Sequence, residues 1–134
     1  MLSGNKLDLV RYRLEQAHNC FNTAIRDIEA HDYKAASART YYCIFHAMRA
    51  ILAIEEFDSK KHSGVISAFR QRYIKTGVFP PELSDMIQSA FRNRGKSDYE
   101  DFFIISKEET AEQIKNAKTI LTAVEKYIEQ LSAH

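Results

Sequence analysis

The sequence predicts an all-α protein, an antiparallel up-and-down bundle of four to five helices built by residues 1–134 as one domain. Three observations carry that prediction. Only four glycines and two prolines occur in 134 residues, too few turn formers for an all-β fold. Apolar residues recur at steps of three and four through long stretches, the repeat that puts them on one helix face. The composition, 45% hydrophobic and 28% charged, supports one core and is too apolar for disorder.

The first helix is expected from about Lys6 to Ala30, with Leu7, Val10, Leu14, Ala17, Phe21, Ala24/Ile25 and Ile28 on its apolar stripe. His31-Asp32 breaks the pattern, and Asp32 suits an N-cap. The second helix should run from Tyr33 to Ile54 around Ala38, Tyr41, Phe45, Met48 and Leu52. Arg39, Tyr42, His46 and Arg49 form a second, polar stripe on it at i, i+3, i+7 and i+10. A basic turn, Lys60-Lys61-His62, leads into a short third helix over about 63–74. Gly77-Val78-Phe79-Pro80-Pro81 ends it, and Pro81 suits the first turn of the next helix. The fourth helix is expected to stop at Gly95, after Arg94. Ser106 and Glu109 form a capping box for the last helix, about Lys107 to Leu131, along which Ile114, Ala117, Leu121, Val124, Ile128 and Leu131 repeat. The apolar run Phe102-Phe103-Ile104-Ile105 before it is expected to cover the bundle end or reach a mate.

Several functions have no support. Cys20 and Cys43 lack metal-ligand spacing and each falls in a helical apolar pattern, so they read as buried thiols. The chain has no glycine-rich phosphate loop, no HExxH and no nucleophile elbow. Its histidines share no metal-binding interval, so no metal or cofactor is expected. No apolar run nears the ~20 residues that span a bilayer. Met1–Lys6 has no signal-peptide core, which predicts a cytoplasmic protein.

Charge points to one region. The net charge is +1, but residues 59–96 carry +6, between flanks of −1 and −4. A basic middle is an electrostatic footprint for an anionic partner, or a solvated surface balanced by the acidic last helix. Its densest part is Arg92-Asn93-Arg94-Gly95-Lys96-Ser97-Asp98-Tyr99. At a helix end such cations also complement the dipole.

Four segments in order resemble the HEPN family (higher eukaryote and prokaryote nucleotide-binding). They are Ala38–Leu52, Lys61–Ile66 with Phe69, Lys75–Pro80 and Arg94–Tyr99, the last similar to the Arg-x-x-x-Asp-Tyr pattern of the small stand-alone branch. The resemblance implies a bundle that pairs as a homodimer, with arginine motifs meeting across a cleft. It also implies toxin–antitoxin-type pairing with a minimal nucleotidyltransferase. Several branches are metal-independent ribonucleases with an Arg-x(4–6)-His signature. Here Ser97 or Tyr99 falls where that histidine belongs, and none follows until His134. Arg39-x6-His46 has the spacing but lies in another helix.

Three functions follow. The first is a module that binds RNA, a nucleotide or a partner transferase, with Arg92, Arg94 and Lys96 on phosphate, Tyr99 stacking on a base or accepting a modification, and Asp98 orienting an arginine. Arg39, Tyr42, His46 and His62 are further ligand-binding candidates. The second is a metal-independent ribonuclease toxin using Arg94 with Tyr99, His46 or His62 as acid–base groups. The third is a purely structural dimerising partner.

Overall fold

The computed structural model describes residues 4–99 and 102–132. The helices are α1 (Gly4–Glu29), α2 (Tyr33–Ala53), α3 (His62–Phe69), α4 (Glu82–Tyr99) and α5 (Lys107–Ser132), with a π-helical turn, Arg70–Ile74, continuing α3. They form the expected all-α bundle.

α2 is the axis. It packs against α1, α3, α4 and α5, and Cys43, Ala47, Met48, Ala50 and Ile51 are fully buried. Its apolar residues extend well beyond one stripe because neighbours surround it. Truncating Met48 or Ile51 to Ala would leave a cavity and cost about 2–5 kcal/mol. The core continues through Val65 and Phe69 of α3, Ile87 of α4, and Ala117, Ile120 and Val124 of α5.

Local chemistry sets the helix ends. His31 adopts a left-handed φ of 62°, and the His31 and Asp32 N–H groups bond back to the Ile28 and Asp27 carbonyls. This satisfies carbonyls that α1 would otherwise leave unpaired. The Asp32 carboxylate accepts from the Ala35 N–H at 3.2 Å and caps α2, as expected. Glu56, at φ 58°, closes α2 in the same manner, with Phe57 N–H bonding Leu52 O. The Ser106 hydroxyl accepts from Glu109 N–H at 3.0 Å and donates to its carboxylate at 3.1 Å, completing the predicted cap of α5.

One expectation is corrected. α4 does not stop at Gly95 but runs to Tyr99, so Asp98 lies on a helix rather than a loop. A helical glycine costs about 1 kcal/mol relative to Ala. The Arg94–Asp98 ion pair at 3.1 Å, spaced i,i+4 across that glycine, returns part of it. The Phe102–Ile105 run, expected to cover the bundle end or reach a mate, is divided between interior and surface. Ile105 is buried, Phe103 is half-buried, and Phe102 and Ile104 are 93% and 87% exposed.

Two polar features tie the bundle together. The Ser37 hydroxyl of α2 donates to Gln113 Oε1 of α5 at 2.6 Å in the interior. On α1, Arg13 rather than Leu14 takes the buried position between Val10 and Ala17. Its guanidinium bonds Arg49 O at 3.0 Å and Asp58 at 3.3 Å, while Arg49 bonds both oxygens of Asp58.

Candidate functional site

Three helices meet around a cleft of about 210 Å³. α2 supplies Tyr41 and Tyr42, α3 supplies its first residue, His62, and α4 supplies Phe91, Arg94 and Asp98. Tyr41 and Tyr42 both reach it because adjacent helical residues are only about 100° apart. α3 starts here because the Ser59 hydroxyl accepts the Lys61 N–H at 3.2 Å, ordering the turn before His62. Gly64 fits the next turn because a Cβ there would collide with the Ser59 hydroxyl.

The groups restrain one another. The Arg94 guanidinium lies over the Tyr42 ring, 5.3 Å from its centroid, donates to the Tyr42 hydroxyl at 3.4 Å, and pairs with Asp98. Tyr41 Oη lies 2.8 Å from His62 Nδ1, a hydrogen bond whose direction follows the tautomer. The His62 ring packs on Phe45 at 4.1 Å between centroids and meets Tyr42 edge-on at 6.3 Å. His46, one turn beyond Tyr42, packs against it at 6.4 Å.

Burial, aided by nearby arginines, disfavours the charged form of both histidines. Burial lowers the His62 pKa, helped by the charges of Arg49 and Arg94. Burial likewise lowers that of His46, with Arg49, Arg13 and His62 adding to it. The Tyr41 phenol is pushed up to about 12, chiefly by burial and then by Tyr42, so it stays protonated. The cleft thus combines a guanidinium, an imidazole, phenol hydroxyls and aromatic faces. Those groups suit a phosphate beside a flat base.

The sequence candidates divide. Arg94, Asp98, Tyr42 and His62 line the cleft, and His46 flanks it. Arg92 and Lys96 do not converge with them. Each is two helical residues from Arg94, about 160° around the axis, and both are exposed. Arg39 is exposed too, and its charge acts instead on the Cys20 thiol, opposing the rise that burial causes. The side chain of Tyr99 and the whole of His134 lie outside the described residues. Tyr41 and Phe45 belong to the apolar pattern of the second helix, and the structure adds them, with Phe91, to the site. Their signal was present in part, since a buried tyrosine needs a partner for its hydroxyl. Among the described residues, no group of three or more His, Cys, Asp or Glu side chains is placed to hold a metal ion. No helix among them is long and apolar enough to cross a membrane.

Fold and cleft together define a class: a helical bundle that mounts an arginine, tyrosines and a histidine where its second, third and fourth helices converge. The chain belongs to the HEPN domain family, whose model matches residues 10–127. A "UPF0332 protein" of Thermotoga maritima is 30% identical over 126 residues, covering 94% of this chain and 96% of that protein. A Methanocaldococcus jannaschii protein called "Putative toxin MJ0142" is 33% identical over 115 residues, covering 86% and 74%. The crystal structure of TT1696 from Thermus thermophilus shares the fold, with a TM-score of 0.74 at 18% identity over 87% of this chain and 96% of that one.

Proposed function

We propose that this HEPN protein is a single-domain cytoplasmic binding module for RNA or a nucleotide, acting as a homodimer in a toxin–antitoxin-type pair with a minimal nucleotidyltransferase. One observation carries the binding part: the Arg94 guanidinium is held over Tyr42 in the same cleft as His62. A phosphate takes the guanidinium fork, and Asp98 keeps that fork oriented until it arrives. The exposed apolar side chains Phe102 and Ile104 supply surface for a mate. Toxin-named relatives support the pairing.

The test is fluorescence anisotropy with labelled oligouridylates and nucleotides over a salt series. Arg94→Ala should weaken binding about tenfold or more, the range for a charge-assisted contact of about 1.5–3 kcal/mol. Wild-type affinity should fall as salt rises. Equal affinity for the variant, or indifference to salt, removes the support for this function.

A second reading, metal-independent RNA cleavage, is favoured by His62 lying in the Arg94 cleft. An imidazole from α3 would stand in for the histidine missing after Arg94. Neutral His62 or His46 takes the 2′-hydroxyl proton as that oxygen attacks phosphorus. The P–O5′ bond breaks, giving a 2′,3′-cyclic phosphate, and a protonated group returns a proton to the 5′ oxygen. Arg94 stabilises the extra negative charge. RNA should then be cut in EDTA, and Arg94→Ala or His62→Ala should abolish cutting. Intact RNA after long incubation eliminates this reading.

A further inference from the structure

The Arg94 cleft is not isolated. A second cavity of about 450 Å³ lies between α3 and α4, bounded by Ser63, Arg70, Gln71, Lys75, Gln88 and Phe91. Phe91 lines both. On α4 the lining positions are 88, 91, 94, 95 and 98, and on α3 with its π-helical continuation they are 62, 63, 66, 67, 70 and 71. Both sets recur at helical spacing, so each helix offers one continuous face. The α4 positions span ten residues, about 15 Å at 1.5 Å per residue.

We propose that the two cavities form one groove that holds a single RNA strand, with Phe91 as a stacking platform between two phosphate subsites. This rests on the reading that the Arg94 cleft binds nucleotide. Size gives the first argument. The cleft's 210 Å³ is below the roughly 300 Å³ at which small-molecule pockets begin, so a nucleotide seated there extends beyond it.

Charge gives the second. The larger cavity is lined by Arg70 and Lys75 and by no carboxylate. Arg70 is held in place by Ser84 O at 3.3 Å and Gln88 Oε1 at 2.9 Å. Both bonds use Nη2, leaving Nη1 without a hydrogen-bond partner among the described residues. Arg70 therefore presents a fixed, available donor, and Lys75 is an exposed cation beyond it. Phe91 gives the third argument: its side chain is 40% exposed at the junction of the two cavities. Alternating cations and an aromatic face are what sequence-tolerant strand binding uses.

The full chain is titrated with fluorescein-labelled tetrauridylate, and uridine 5′-monophosphate and hexaglutamate are tested as competitors. Tetrauridylate should bind at least about tenfold tighter than the monophosphate. Lys75→Gln should weaken only the tetranucleotide and flatten its salt slope by about 0.7, one phosphate contact. Phe91→Leu should weaken it about fivefold or more. Thermal melting confirms that both variants are folded. If Arg94→Ala weakens binding while Lys75→Gln and Phe91→Leu do not, the groove is overturned and the nucleotide-binding function stands. Competition by hexaglutamate at equal charge also overturns it, since the surface then reads charge alone. If neither uridine probe binds, both fall.

Discussion

The Ser37–Gln113 bond between α2 and α5 gives a sharp stability test. Both residues are buried, at 6% and 4% exposure, and Gln113 Nε2 has no hydrogen-bond partner among the described residues. Ser37→Ala leaves the amide oxygen unpaired as well, in a place water does not reach. Removing one partner of a buried bond costs about 1–3 kcal/mol. Unfolding entropy near 2.1 cal/mol/K per residue gives about 0.28 kcal/mol/K for 134 residues. The melting temperature should therefore fall by about 4–11 °C. Gln113→Met, of similar size and shape, should cost less. It removes the orphaned N–H, and the Ser37 hydroxyl can turn to the carbonyl one helical turn back. The double variant should lie within about 0.5 kcal/mol of wild type, because two apolar groups of matching shape replace a polar pair. Calorimetry or urea unfolding measures all three. A double variant as destabilised as the sum of the singles would refute the reasoning.

The remaining predictions concern titration and reactivity. His46 and His62 both have folded pKa values below the ordinary 6.5. The unfolded chain takes up protons first as pH falls, so their contribution is full above about pH 6.5 and is lost progressively below it. The melting temperature should drop between pH 7.5 and 5, and drop less in His46→Gln; an equal drop in the variant counts against burial of His46 as the cause. Cys43 is fully buried, and burial pushes its thiol up to about 12. It should resist a thiol reagent until the protein unfolds, whereas Cys20, half-buried on α1, should react in the native state. Quantitative modification of both thiols in folded protein contradicts the placement of Cys43.

The long helices were legible because apolar spacing and capping residues agree, as at Asp32 and Ser106. The exceptions have local causes. Gly95 carries a stop signal, but nothing in the chain alone reveals that Arg94 grips Tyr42 and Asp98 around it. The π-helical turn at Arg70–Ile74 differs from an α-turn by one hydrogen-bond step, which side-chain periodicity barely registers. Arg13 sits at the correct spacing, between Val10 and Ala17, yet a charged residue is read as surface unless its partners, Arg49 O and Asp58, are seen. For the site, Arg94 and Asp98 were found from the motif, and His62 was one candidate among several. Convergence of α3 with α2 and α4 made it the histidine of the cleft. The same convergence separated Arg94 from Arg92 and Lys96, which only a continuing helix turns away.

α2 being enclosed on nearly every side has a consequence for motion. The wall of the cleft that carries Tyr41 and Tyr42 belongs to a helix so buried that its central amides are expected to exchange with solvent only through global opening. The opposite wall, Arg94 and Asp98, stands on the last turns of α4 around a glycine, with partly exposed side chains. Its amides are expected to open by local fraying as well, so the two walls should differ in exchange rate. A ligand bridging Tyr42 and Arg94 would slow hydrogen exchange in both walls: in α2 by the factor by which it stabilises the folded state as a whole, and in α4 by also suppressing fraying that the core does not share.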